Sequence, residues 1–142
     1  MQTWLYTLFE KIMKQEDKEL LLRYLSMTLP YGIQVKVESD NEPYTLLSIY
    51  PNNGIVLIGI NMGGVYATSK VKIDTVKPYL RPMSSMTKEE RKEHNLHRLS
   101  KWSTYAEYCA NVIDWLHAHH FDYRCLIKKG LALEAPNGMY HE

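Results

Sequence analysis

Residues 44–73, YTLLSIYPNNGIVLIGINMGGVYATSKVKI, decide the fold. Tyr44 to Tyr50 is rich in β-branched and aromatic residues. Pro51-Asn52-Asn53-Gly54 after it is a hairpin turn, because Asn and Gly accept the positive φ angles such turns need. Ile55 to Ile60 is apolar on both faces, which places it centrally in a sheet. Asn61-Met62-Gly63-Gly64 turns the chain again, and Val71 and Ile73 alternate with Lys70, Lys72 and Asp74 in a last strand. Upstream, Ile33, Val35 and Val37 alternate with Gln34, Lys36 and Glu38, a strand with one wet face, and Asp40-Asn41-Glu42-Pro43 is its turn. Four or five short strands joined by tight turns form a strongly bent meander. Closure into a small SH3-like β-barrel is the expected way to remove its edges. The expected core is Ile33, Val35, Val37, Leu47, Ile49, Val56, Ile58, Val71 and Ile73.

Helical signals flank this β region. Leu5, Leu8, Phe9 and Ile12 recur at helical spacing, and so do Leu21, Tyr24, Leu25 and Thr28, with Asp17 as a candidate cap between them. Pro30 and Gly32 end the segment, because proline cannot continue a helix and glycine resets the backbone. After the strands, Val76 to Thr87 carries two prolines and reads as an extended strap. Thr87 with Glu90, and Thr104 with Glu107, have the spacing of capping boxes and open two further helices. The first of these is largely solvated, and the second sets Tyr105, Cys109, Val112, Ile113 and Leu116 on one side. Asp122 to Lys129 reads as a short helix stopped by Gly130, and a tail packs on the body. The expected class is therefore α+β in one domain over 1–142: 1–29 helical, 30–75 barrel-like, 76–86 strap, 87–142 helical with a C-terminal tail.

Composition bounds the function. The chain has 142 residues, 45% apolar and 23% charged, a size that buries about 70% of its unfolded surface without staples. The net charge of +1 gives no bulk attraction to nucleic acid or membrane, so any such contact needs a local patch. Two cysteines, Cys109 and Cys125, make no disulfide framework, and no apolar run approaches the ~20 residues of a membrane span. The N-terminus has no basic leader and no small-residue cleavage site, so the cytoplasm is the expected compartment.

Three strings carry a resemblance. They are Leu29-Pro30-Tyr31-Gly32, then VKPYLRPMSSMT over 76–87, then DWLHAHHFDYRCLIKKGLALEAPNGMY over 114–140. They resemble a family of small proteins of gut anaerobic bacteria, their phages and prophages, a family without an established activity. The resemblance runs from Asp17 to the C-terminus around a variable middle. It implies a phage or mobile-element accessory protein in the cytoplasm of a bacterial host. This chain departs from the family at His117, where asparagine is expected, and at Cys125, where glycine is expected. Residues 1–16 precede the usual start, so Met1 and Met13 are both candidate starts.

No catalytic motif stands out: there is no G-x-S-x-G, no phosphate-cradling glycine loop and no H-E-x-x-H. The protein is expected to be non-enzymatic and to need no cofactor. The first expectation is binding to a host or viral protein partner. The alternative is nucleic acid, since the β region and strap hold Tyr31, Tyr44, Tyr50, Tyr66 and Tyr79 together with Lys36, Lys70, Lys72, Lys77 and Arg81. Rings can stack bases while cations hold phosphates. Lys70, Lys72, Lys77, Arg81 and Tyr79, close together in sequence, are the candidate contacts. A continuous basic face with exposed tyrosines favours nucleic acid, and scattered charges around an apolar patch favour protein. A third reading is metal binding by Glu90, His94 and His97 on one helix with Asp114, His117 and His120 on the next, because zinc needs three or four converging ligands.

Overall fold

Lys14 has extended backbone, and α1 follows it over Gln15–Thr28. Asp17 does not cap this helix. It lies with Glu16 in the first turn, where acids complement the positive end of the helix dipole. Leu21, Tyr24, Leu25 and Thr28 form its buried face, as their spacing predicts. A 3-10 turn, Leu29–Tyr31, takes up Pro30, and Gly32 at φ 68 releases the chain through the left-handed region. The computed structural model describes residues 13–98 and 104–140, so the apolar rhythm of Leu5 to Ile12 lies outside the described residues.

Five strands follow: β1 Gln34–Val37, β2 Tyr44–Tyr50, β3 Ile55–Met62, β4 Val65–Lys72 and β5 Val76–Leu80. With a short β6, Leu133–Glu134, they form one mixed sheet in the order β4-β3-β2-β1-β5-β6, antiparallel except for β5 with β6. The sheet is open. Among the described residues β4 pairs with β3 alone, so the expected barrel does not close. The apolar face is covered by α1 instead, whose Leu21, Tyr24 and Leu25 share the core with Val35, Val37, Leu46, Val56, Ile58, Ile73 and Val76.

Three further expectations change. The ladder steps from Leu46↔Ile58 to Ser48↔Leu57, a bulge that inserts Leu47. Leu46 is therefore the core residue, and Leu47 is 36% exposed on the other face. β4 stops at Lys72, and Ile73 is buried from a 3-10 turn, Ile73–Thr75, rather than from a strand. The strap is in part a strand, because Val76, Lys77 and Pro78 pair with Val37, Lys36 and Val35. Pro78 is tolerated there because β6 pairs only from Tyr79 onward.

The chain divides into two compact units, Met1–Pro78 and Tyr79–Glu142. In the second, α2 spans Lys88–Arg98 and α3 spans Tyr105–Ala118. The Thr87–Glu90 capping box is complete, with Glu90 N–H donating to Thr87 Oγ1 at 3.1 Å and Thr87 N–H to Glu90 Oε1 at 3.0 Å. Thr104 caps α3, its Oγ1 accepting from Glu107 N–H at 3.2 Å. Burial on α3 is confined to Trp115, Leu116 and His117, whereas Tyr105 is 82% exposed, against the apolar side expected from spacing. Trp115, Leu116 and Phe121 form a cluster with Met86, Val112 and Tyr123 around it.

Residues 122–130 form successive turns instead of a short helix. Asp122 organises them, its carboxylate accepting from Leu126 N–H at 2.8 Å and Ile127 N–H at 3.0 Å. Cys125 adopts φ 59 in these turns, a left-handed conformation in which a side chain is strained and glycine is not.

Two stability measurements check this architecture. Ile58→Ala should cost about 2–5 kcal/mol in denaturant unfolding, because it empties a core aliphatic site. Cys125→Gly should raise stability by about 1 kcal/mol, the strain relieved at a left-handed residue.

Candidate nucleic-acid interface

Strands β1–β5 contain no aspartate or glutamate, and their only charged residues are Lys36, Lys70, Lys72 and Lys77. The register brings all four to one face. Lys36 is directly opposite Lys77. Gln34, two residues from Lys36, is opposite Thr45, which is opposite Gly59, which is opposite Thr68. Lys70 and Lys72 follow Thr68 at even steps and so share its face. Val35, Val37, Val56 and Ile58 occupy the intervening positions and are buried on the opposite face.

The outer face has two lysine pairs with an uncharged middle. Lys70 and Lys72 stand exposed on β4, and Lys77 stands exposed on β5. Lys36 is half-buried, its Nζ donating to Val37 O at 3.4 Å. In the loop after β1, Asp40 accepts from the Tyr44 hydroxyl and from Glu42 N–H at 3.0 Å. Those hydrogen bonds, the tyrosine's first, hold its carboxyl below the usual range, and Lys36 adds to the effect. The same face carries Tyr50 on β2, 37% exposed, and Tyr66 on β4, 51% exposed. The Lys70 ammonium sits 5.0 Å from the Tyr50 ring centroid, a cation–π contact that leaves its charge intact.

The sequence candidates divide on this geometry. Lys70, Lys72 and Lys77 belong to the face. Arg81 is engaged elsewhere: its Nη1 and Nη2 each donate to a Glu90 carboxylate oxygen at 2.6 Å, and its guanidinium lies 4.2 Å from the Phe121 ring centroid. Tyr79 is half-buried and its carbonyl accepts from the Tyr140 hydroxyl at 2.7 Å, so it anchors the C-terminal tail. Lys36, Tyr50 and Tyr66 join the face only through pairings of β1 with β5 and of β3 with its neighbours, which no local pattern encodes.

The described metal candidates make other contacts. Glu90 holds Arg81 and the α2 cap. His94 lies 5.4 Å, centroid to centroid, from Trp115, and His120 stacks on Tyr140 at 3.7 Å. His117 Nε2 is 2.6 Å from the Tyr123 hydroxyl, and burial lowers its pKa. Asp114 is exposed on α3, and the side chain of His97 lies outside the described residues. Among the described residues, no group of three His, Cys, Asp or Glu side chains is placed to hold a metal ion. Among them, too, no helix is long and apolar enough to cross a membrane. In comparisons with known families, curated proteins and solved structures, the chain matches none.

The Arg81 hydrogen bonds, the largest cause, lower the Glu90 pKa from 4.5 to about 2. A carboxyl lowered by folding stabilises fully above its unfolded pKa, and that stabilisation is lost as pH falls through the folded one. Glu90→Gln should therefore be less stable than the wild type at pH 7, with the gap closing as pH falls from 4.5 towards 2. Denaturant midpoints across that range test it.

Proposed function

We propose that the protein acts by binding nucleic acid, without catalysis, along the outer face of β4-β3-β2-β1-β5. One observation carries this: the four lysines of the five strands share one face, and those strands contain no carboxylate. A net charge of +1 over the whole chain conceals this segregation, because the acids of the described residues lie outside these five strands. Phosphate contacts supply most of the affinity in such a case and fix position rather than sequence. The resemblance to phage and prophage proteins supplies a setting, a bacterial cytoplasm in which host and viral nucleic acids are both present.

A protein partner is the second reading, and a separate observation favours it. Met62 and Val65, flanking the Gly63-Gly64 turn, are 67% and 71% exposed. An apolar tip of this kind suits a protein surface better than a phosphate backbone.

Titration with mixed-sequence DNA and RNA at several salt concentrations separates the two. Four phosphate contacts give a log–log salt slope of about −3.6 on duplex and about −2.8 on single strands. Lys70→Ala with Lys72→Ala should flatten the slope by about half and weaken all sequences alike. No binding by either strand form at tens of micromolar protein would end the nucleic-acid reading and leave the hairpin tip as the candidate contact.

A further inference from the structure

We infer that Tyr66 is a base-stacking platform and that the face prefers single-stranded nucleic acid to duplex, an inference that rests on the nucleic-acid reading above. The warrant is the glycine in the middle of β3. Gly59 points to the outer face, opposite Thr68 and diagonal to Tyr66. A methyl group on Gly59 would stand 2.6 Å from Leu47 Cδ1 and 3.1 Å from Tyr66 Cδ1. Both side chains therefore occupy the space that any other residue at 59 would fill. The Tyr66 ring leans across β3 onto bare backbone, and the bulge that turns Leu47 outward sets an apolar neighbour beside it. With 51% of its surface exposed and one side seated on the sheet, the ring offers a supported aromatic surface to solvent.

That surface suits an unpaired base. Every base has a π face, so stacking tolerates sequence and serves DNA and RNA alike. A duplex hides those faces and offers phosphates and groove edges instead. The positive charge needed beside the ring is present on the same face, with Lys70 four residues along β4, about 13 Å away at the rise of a strand. Lys70 and Lys72 take backbone phosphates, and Tyr66, with Leu47 beside it, takes a base.

The test uses the full chain and four variants, Tyr66→Ala, Tyr66→Phe, Gly59→Ala and the Lys70→Ala/Lys72→Ala pair. Each is titrated with a mixed-sequence strand of about 16 nucleotides, as DNA and as RNA, and with the matching duplex. Tyr66→Ala should weaken single-strand binding about tenfold, the size of one base–aromatic stack, and change duplex binding less than about twofold. Tyr66→Phe should keep wild-type affinity. Gly59→Ala should weaken single strands by displacing the ring while leaving the lysine contribution to duplex in place. Melting curves check that every variant stays folded at the temperature of the titration. Equal weakening of both strand forms by Tyr66→Ala, or none while the lysine pair still weakens both, would overturn the stacking inference and leave the phosphate reading standing. Absence of wild-type binding to either form would overturn both.

Discussion

A slip of one residue between β2 and β3 would reverse every side chain across the middle of the sheet. The register Thr45↔Gly59 and Leu46↔Ile58 is therefore the constraint on which the first unit depends. It puts Leu46, Val56 and Ile58 under α1 and sends Thr45, Leu57 and Gly59 outward. Slippage would expose an apolar face and drive lysine ammonium groups into the core, where an unpaired charge is far too costly to bury. The same term that stabilises the core thus fixes the outer face. The basic surface follows from burial on the opposite side and needs no separate device to hold it.

The bulge at Leu47 is the local exception that completes the face. A regular ladder would turn Leu47 inward with Ile49, as period-2 reading expects. The extra residue sends Leu47 out instead and lets Ile49 stay opposite Val56. Gly59 then serves two roles. Its missing side chain leaves room for Leu47 and Tyr66, and its weak strand propensity is offset by the packing of those side chains over it.

Much of this was legible in the sequence and some was not, for physical reasons. The α+β class, the turns at Gly54 and Gly63-Gly64, the Thr87–Glu90 box and most core positions follow from local chemistry, and the structure has them. Closure was not legible, because it depends on whether β4 finds a second partner or a helix covers the sheet. Nor was β5. Pro78 within it and Pro82 just after it argue against a strand, and pairing with the distant β1 overrides them. Arg81 and Lys77 look equivalent in sequence. Glu90, nine residues after Arg81, reaches it only because the capping box turns its carboxylate back towards the start of α2.

Edge protection is the simplest alternative account of the lysines, since charged side chains on an edge strand prevent sheet-to-sheet association. It accounts for Lys70 and Lys72, because β4 is the open edge of the sheet. It accounts for Lys77 too, which lies on the stretch of β5 that β6 leaves unpaired, but not for Lys36, because β1 lies between β2 and β5 and guards no edge. Two like charges in a cross-strand pair oppose folding, and Asp40 in the adjoining loop relieves that repulsion only from one side. A sequence selected for stability alone would put a threonine or a carboxylate at one of the two positions. Both cations, on a face whose strands carry no acid, are the charge that the proposed contact with an anionic ligand draws on.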